Sequence, residues 1–287
     1  MTNLVSSHMN LSQDELKKRY WGLGSENKWM ECIDGRHHHL GKTVFDEGLH
    51  GKNVEPGFIG SMEKTFAFIQ DHLQTKISAD WYLQLHKQTC AHFDGKKTNT
   101  LMGQEGVGVF RDSHDMIGWH AQPPYYFVTP EARAEFEALD LELKKEFGES
   151  YGLGKIIFIS DQLPVKFKYQ RMSQEQIRRV FDKFVNDLYR EIDHATNADE
   201  RLWAIAGLQQ RLEWLHPVKD GTARTNTAMM NKSLTQYVSH PAILEYPHVS
   251  SCYSRAKWMQ YLKESLLNWE QRREKLNLGA SEEKTAV

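Results

Sequence analysis

Residues 215–232 read L-H-P-V-K-D-G-T-A-R-T-N-T-A-M-M-N-K, and the fold is decided by where this stretch breaks. Before it, Leu202, Ile205, Leu208, Leu212 and Leu215 recur at helical spacing. His216-Pro217 then interrupts the pattern, since proline lacks the N–H that a continuing helix needs. Gly221 permits a tight loop, and Thr227, Met230, Leu234 and Tyr237 resume the helical period. The sequence thus predicts two helices joined by a short loop.

Such a junction has a chemistry of its own. The first turn of the second helix offers backbone N–H groups without intrahelical acceptors, and the helix dipole adds positive potential there. Arg224 in that turn supplies a fixed charge for phosphate, and Asp220 is placed to hold Mg²⁺ beside it. His216 can act as general base on an attacking hydroxyl. Taken singly, His216 reads as a helix-end histidine, Asp220-Gly221 as a turn and Arg224 as a surface charge.

Outward from the junction the chain is mainly helical. Ser173 and Gln176 form a capping box ahead of Ile177, Val180, Phe181, Phe184, Val185, Leu188 and Ile192. Met259, Leu262, Leu266 and Trp269 mark a last helix, with a small, charged tail over residues 276–287 expected to be disordered. Ile59, Met62, Phe66, Ile69 and Leu73 mark an early helix, and Ser78 or Asp80 caps the next, which runs to about Phe93. Thr129-Pro130 starts a helix with Ala132, Phe136, Leu139, Leu143 and Phe147 on one face, ended by Gly152 and Gly154. Ile156–Ile159 and the alternating Val165, Phe167 and Tyr169 read as two strands joined through Leu163-Pro164. Residues 106–119 read as a glycine-rich β-hairpin turning at Asp112–Asp115, and residues 94–106 as a loop. Residues 1–57 read as loops around one or two short helices, an N-terminal extension with regulation as a candidate role.

Composition excludes several classes. With 36 Lys+Arg against 38 Asp+Glu and no basic stripe, nucleic acid is not an expected partner. Three scattered cysteines, Cys32, Cys90 and Cys252, give neither a disulfide framework nor a zinc pattern. There is no apolar run long enough for a signal peptide or a membrane span. His37-His38-His39 reads as a polar loop, because adjacent residues converge poorly on one ion. Trp119, Trp203 and Trp214 read as core, Met229 and Met230 as helix packing, and Arg111 as an anchor for the hairpin. His86, His114, His120 and His194 read as surface or satisfied core residues.

The 216–227 segment resembles the Fic family signature, H-x-F-x-D/E-G-N-G/K-R-x-x-R. His216 matches the catalytic histidine, Asp220 the metal-binding acid, Gly221 the loop glycine and Arg224 the first arginine; Val218 stands for the buried Phe. The helix carrying Leu208, Leu212, Glu213 and Leu215 is similar to the family's central helix. L-H-K-Q at 85–88 and G-V-F-R at 108–111 resemble its first core helix and flap. The resemblance implies a mainly α, Fic-like helical bundle over residues 58–275, with a β-hairpin flap and a small α/β insertion at about 120–172. It implies a transferase moving a nucleotidyl group, AMP foremost, or a related phosphate-linked group onto a hydroxyl of a target protein. His216 would be the base, Mg²⁺ would sit on Asp220, and Gly221, Thr222, Ala223 and Arg224 would bind ATP or another nucleotide-type donor. The protein substrate would lie along the flap near Val109. Expected localisation is cytoplasmic, with export as a bacterial effector acting in a host cell as the alternative.

The segment also departs from the signature. Thr222 and Ala223 replace Asn and Gly, and Thr227 replaces the second arginine, removing one bidentate phosphate contact. Three readings follow: ATP held with another residue's help, a different phosphate-containing donor, or a degenerate site that only binds a partner. T-V-F-D-E-G at 43–48 also resembles the family's inhibitory helix, although Thr227 cannot pair with Glu47.

Overall fold

The computed structural model describes residues 11–43, 56–93, 106–112, 118–120, 128–157 and 166–285. Helix α1 (Gln13–Tyr20) begins at a capping box: Ser12 Oγ accepts from Glu15 N at 3.2 Å, and the Glu15 carboxylate accepts from Ser12 N at 2.8 Å. Two 3₁₀ helices follow, Ser25–Glu31 and Gly35–Leu40. Leu16, Tyr20, Leu23, Trp29, Met30 and Ile33 are buried in the main core. Residues 13–33 are therefore part of the body rather than an appendage to it, a contact no local periodicity announces.

Helix α2 (Phe58–Asp71) buries the face anticipated from Ile59, Met62, Phe66 and Ile69. Helix α3 (Ala79–Thr89) is capped by Ser78, whose hydroxyl accepts from Trp81 N. Helix α4 (Pro130–Phe147) starts as expected, with Thr129 capping Ala132 N at 3.2 Å. It stops earlier than expected, at Gly148 rather than Gly152, because φ of 106° at Gly148 leaves the helical region.

Two strands form where anticipated, β2 (Gly154–Ile157), two residues earlier than read, and β3 (Lys166–Tyr169); they pair antiparallel, and β1 (Gly118–His120) adds to the other side of β3. This corrects the hairpin expected over residues 106–119. Among the described residues, 106–112 form a turn and irregular chain, and Gly118 pairs with Lys168 instead of answering across a local turn. Gly106 and Gly108 weaken strand formation there, and β3 supplies a better-packed partner. The loop read over 94–105, the Leu163-Pro164 link, and Glu47 with the rest of 44–48 lie outside the described residues.

Helix α5 (Gln174–His194) opens on the predicted Ser173–Gln176 capping box. Helix α6 (Ala198–Leu215) is buried on nearly every face, packed by α5, by helix α7 (Thr222–Tyr237) and by helix α8 (Arg255–Thr285). A helix buried all round occupies the centre of a bundle. Trp214 is core, as expected, whereas Trp203 is 38 % exposed with the Arg255 guanidinium over its ring, which corrects its assignment to the core. Helix α8 continues to Thr285 through the stretch expected to be disordered. Ala280, Glu282, Glu283 and Lys284 are good helix formers, and such residues extend a helix that packing has already nucleated. Among the described residues the molecule is mainly helical, with one small sheet.

Candidate functional site

Helix α6 ends at His216, which adopts the left-handed conformation, φ 48° and ψ 65°, the one positive φ outside glycine among the described residues. Non-glycine residues enter this region at a cost, so something must hold His216 there. Arg111 does so. It is 2 % exposed, and its Nε donates to His216 O at 2.8 Å, its Nη2 to Leu215 O at 3.3 Å and its Nη1 to Gln170 O at 3.0 Å. Its own N donates to Pro217 O at 3.0 Å. A buried guanidinium thus neutralises the carbonyl end of α6. The anchoring role expected of Arg111 holds, but what it anchors is the end of α6. Tyr169, delivered by β3, stacks on the His216 imidazole at 4.7 Å between centroids and 16° between planes.

The loop returns through Val218, fully buried, to Asp220 and Gly221. Gly221 has φ 73°, and a Cβ there would stand 2.4 Å from Cys90 Sγ and 3.3 Å from His86 Nε2. Only glycine satisfies both constraints. His86 is buried on α3 and fastens the loop: Nε2 donates to Asp220 O at 3.0 Å, and Nδ1 accepts from Gly108 N at 3.0 Å. Burial pushes its pKa down to about 4, so it is a neutral structural histidine with a fixed tautomer. This is the satisfied core role the sequence suggested.

Asp220 Oδ1 accepts from Gly221 N at 2.6 Å. Helix α7 begins immediately after, and the amides of Thr222 and Ala223 fall in its first turn, where no intrahelical acceptor exists. The Thr222 hydroxyl donates to Val218 O at 3.3 Å. The Arg224 guanidinium lies 5.4 Å from the Phe58 ring centre and 5.1 Å from that of Phe93, with Nη1 3.3 Å from His92 Nε2.

These residues share one cavity of about 490 Å³. Its lining includes His216, Asp220, Gly221, Thr222, Ala223, Arg224 and Thr227, so every site residue anticipated from sequence is brought to the same place. The volume is in the range of small-molecule sites. Sequence reasoning missed the rest of the lining: Glu31, Cys32, Ile33 and Asp34 from the N-terminal segment, Phe58 from α2, Tyr169 from β3, Glu213 from α6, and Leu244, Pro247 and Ser251. A carboxylate inside the apolar run of α6 was the available signal for Glu213. Nothing local flags 31–34.

Among the described residues no group of three or more His, Cys, Asp and Glu converges as a metal cage. Asp220 would offer a carboxylate to a cation beside the first turn of α7, which suits Mg²⁺, an ion that takes one or two carboxylates and fills its shell with phosphate and water. Neither a known family model nor a curated protein sequence matches the chain.

Proposed function

We propose that the cavity binds a nucleotide-type donor and that the protein transfers a nucleotidyl or related phosphate-linked group to a hydroxyl of another protein, as a Fic-like transferase. One observation carries this reading: His216, Asp220 and the first turn of α7 with Arg224 line a single cavity. A base, a magnesium ligand and an anion cradle are the parts such a reaction needs.

The chain's own residues divide the work. Asp220 and the donor phosphates would hold Mg²⁺, which neutralises phosphate charge. The Thr222 and Ala223 amides and Arg224 stabilise charge that grows on the phosphorus oxygens. His216 accepts the proton of the attacking hydroxyl as its oxygen bonds to the phosphorus, and the donor's P–O bond on the opposite side breaks, so that the rest of the donor leaves as a phosphate-bearing anion. Arg111 holds the His216 backbone and Tyr169 stacks on its imidazole, which limits the freedom lost on reaching the reactive geometry. With no strand among residues 106–112, strand addition at Val109 loses its structural basis. Exposed Val109 still lies two residues from Arg111, which grips the His216 carbonyl, so an acceptor protein can approach from that side.

His216→Asn tests the mechanism, because asparagine tolerates the left-handed backbone. In a lysate supplied with Mg²⁺ and mixed nucleotides, the wild-type protein should add a phosphate-linked mass to hydroxyl side chains, read by mass spectrometry. The variant should lose about 10²- to 10⁴-fold of that rate. Equal labelling by both proteins would remove His216 from the chemistry.

Thr227 favours a second reading. It lines the cavity where a second arginine would grip phosphate, and it is 6 % exposed. A Fic-like scaffold that only recognises a protein partner would give no heat with any Mg²⁺-nucleotide in calorimetry, whereas a transferase would bind at least one. Among the described residues no helix is long and apolar enough to cross a membrane.

A further inference from the structure

Glu213 lies one turn before His216 on α6 and lines the same cavity, yet neither the phosphate cradle nor the base uses it. It is 8 % exposed. One oxygen is committed: Oε1 accepts from Asn226 Nδ2 at 2.8 Å and from Gln209 Nε2 at 3.5 Å. Asn226 cannot turn its amide round, because Tyr82 Oη donates to its Oδ1 at 2.9 Å. The carboxyl plane is thereby held from α7 and α3.

The other oxygen, Oε2, receives no hydrogen bond from the described residues. It is also not among the sealed, unpartnered polar atoms of the interior. The surface it retains therefore belongs to the cavity that Glu213 lines. A buried carboxyl with one oxygen fixed and the other open to a pocket is a strong acceptor awaiting a donor. Were Glu213 there only to hold Asn226, its second oxygen would be a desolvation cost with no return.

We propose that Glu213 Oε2 accepts a hydrogen bond from a hydroxyl or amino group of the molecule whose phosphate end sits at Asp220–Arg224. The inference rests on the nucleotide-type reading given above and adds a second recognition point to it. The groups that face Glu213 leave this acceptor undisturbed near neutrality. Tyr82 from α3, Tyr169 from β3 and Cys252 all have their pKa values raised, chiefly by burial, and stay uncharged, and Asn226 and Gln209 carry no charge. Burial pushes Glu213 itself up to about 7, opposed by the Asn226 hydrogen bond. A ligand donor on Oε2 favours the carboxylate, so binding at neutral pH expels a proton.

Calorimetry at pH 7 in buffers of different ionisation enthalpy counts that proton. Two probes are used: Mg²⁺-ATP, which carries hydroxyl and amino donors, and Mg²⁺-tripolyphosphate, which has the anion alone. Wild-type protein should release more protons with ATP than with tripolyphosphate, after correction for each ligand's own ionisation. Glu213→Gln keeps an oxygen for Asn226 but places an amide N–H against the ligand donor. It should abolish the difference and weaken ATP roughly tenfold or more, with tripolyphosphate unchanged. Equal ATP affinity and proton count in Glu213→Gln would overturn the subsite and leave the nucleotide reading standing. No binding of Mg²⁺-ATP or of any other Mg²⁺-nucleotide by wild type would overturn both. Should Glu213→Gln not fold, the wild-type comparison of the two probes decides, and equal counts refute the subsite.

Discussion

The cavity's α6–α7 wall is a continuous piece of chain, residues 213–227, whereas the wall formed by Glu31–Asp34 is brought in from the other end of the sequence. The first wall is held by backbone chemistry: a capped helix end, a left-handed histidine, a glycine turn and a new helix start. The second is held by buried side-chain charge. Lys28 and Glu31, each about 1 % exposed at the side chain, meet at 2.6 Å. Lys28 also donates to Tyr20 O and sits 3.4 Å over the Tyr20 ring centre. Glu31 Oε1 accepts from Trp269 Nε1 at 2.9 Å, and Glu31 O accepts from Asn231 Nδ2 at 3.3 Å. One wall is locally encoded and the other is assembled by contacts among α1, α7 and α8.

That contrast breaks hardest at the ion pair. Burial alone drives Lys28 down and Glu31 up in pKa, and each charge opposes the shift of the other. Removing one partner leaves a buried charge without compensation. Lys28→Ala should therefore cost about 3–5 kcal/mol in urea unfolding, whereas Lys28→Met with Glu31→Leu should cost far less. If the single and double changes were equally mild, the second wall would not rest on this pair.

The same contrast explains what the sequence revealed. His216, Asp220, Gly221 and Arg224 are neighbours in sequence and neighbours in space, so spacing alone brought them together. The capping boxes at Ser173 and the Thr129-Pro130 start were legible for the same reason. Glu31 was not, because its place in the cavity depends on partners some 200 residues away, Asn231 and Trp269. The pairing of Gly118 with Lys168 is another long-range choice, and a local hairpin reading of the glycine-rich stretch missed it. Arg111 was legible as an anchor, but its ligands, the carbonyls ending α6, were not.

Glu213 in the first wall and His86, which fastens that wall from α3, bracket the pH range of stability. Glu213 has a folded pKa near 7 against an ordinary 4.5, so below 4.5 both states are protonated and the shift costs nothing. Between about 4.5 and 7 the unfolded chain releases this proton while the native state keeps it, so stability falls as pH rises toward 7 and levels off above it. The loss by pH 8 is on the order of 3 kcal/mol. His86, neutral when folded down to about 4, acts oppositely: its contribution is present above 6.5 and is lost as pH falls toward 4. Unfolding free energy should peak between these limits. Glu213→Gln should flatten the alkaline side alone, measured by urea titrations from pH 5 to pH 8. An unchanged alkaline slope would mean that Glu213 ionises freely in the folded protein.

The smallest effect tests whether the glycine turn is fixed by backbone conformation or by crowding. Gly221→Ala must accept a φ of 73° and place a methyl 2.4 Å from Cys90 Sγ. The strain of the left-handed backbone alone is about 1 kcal/mol, and displacement of a packed neighbour adds about 1–3 kcal/mol. Cys90→Ala removes the sulfur that the new methyl meets. In the double variant Gly221→Ala, Cys90→Ala, thermal unfolding should recover the crowding part and retain the backbone part. Recovery of the whole loss would show that the turn tolerates alanine and that the wall is set by packing against α3. No recovery would place the entire cost in the backbone, and the local encoding of this wall would then be complete at the residue that joins Asp220 to α7.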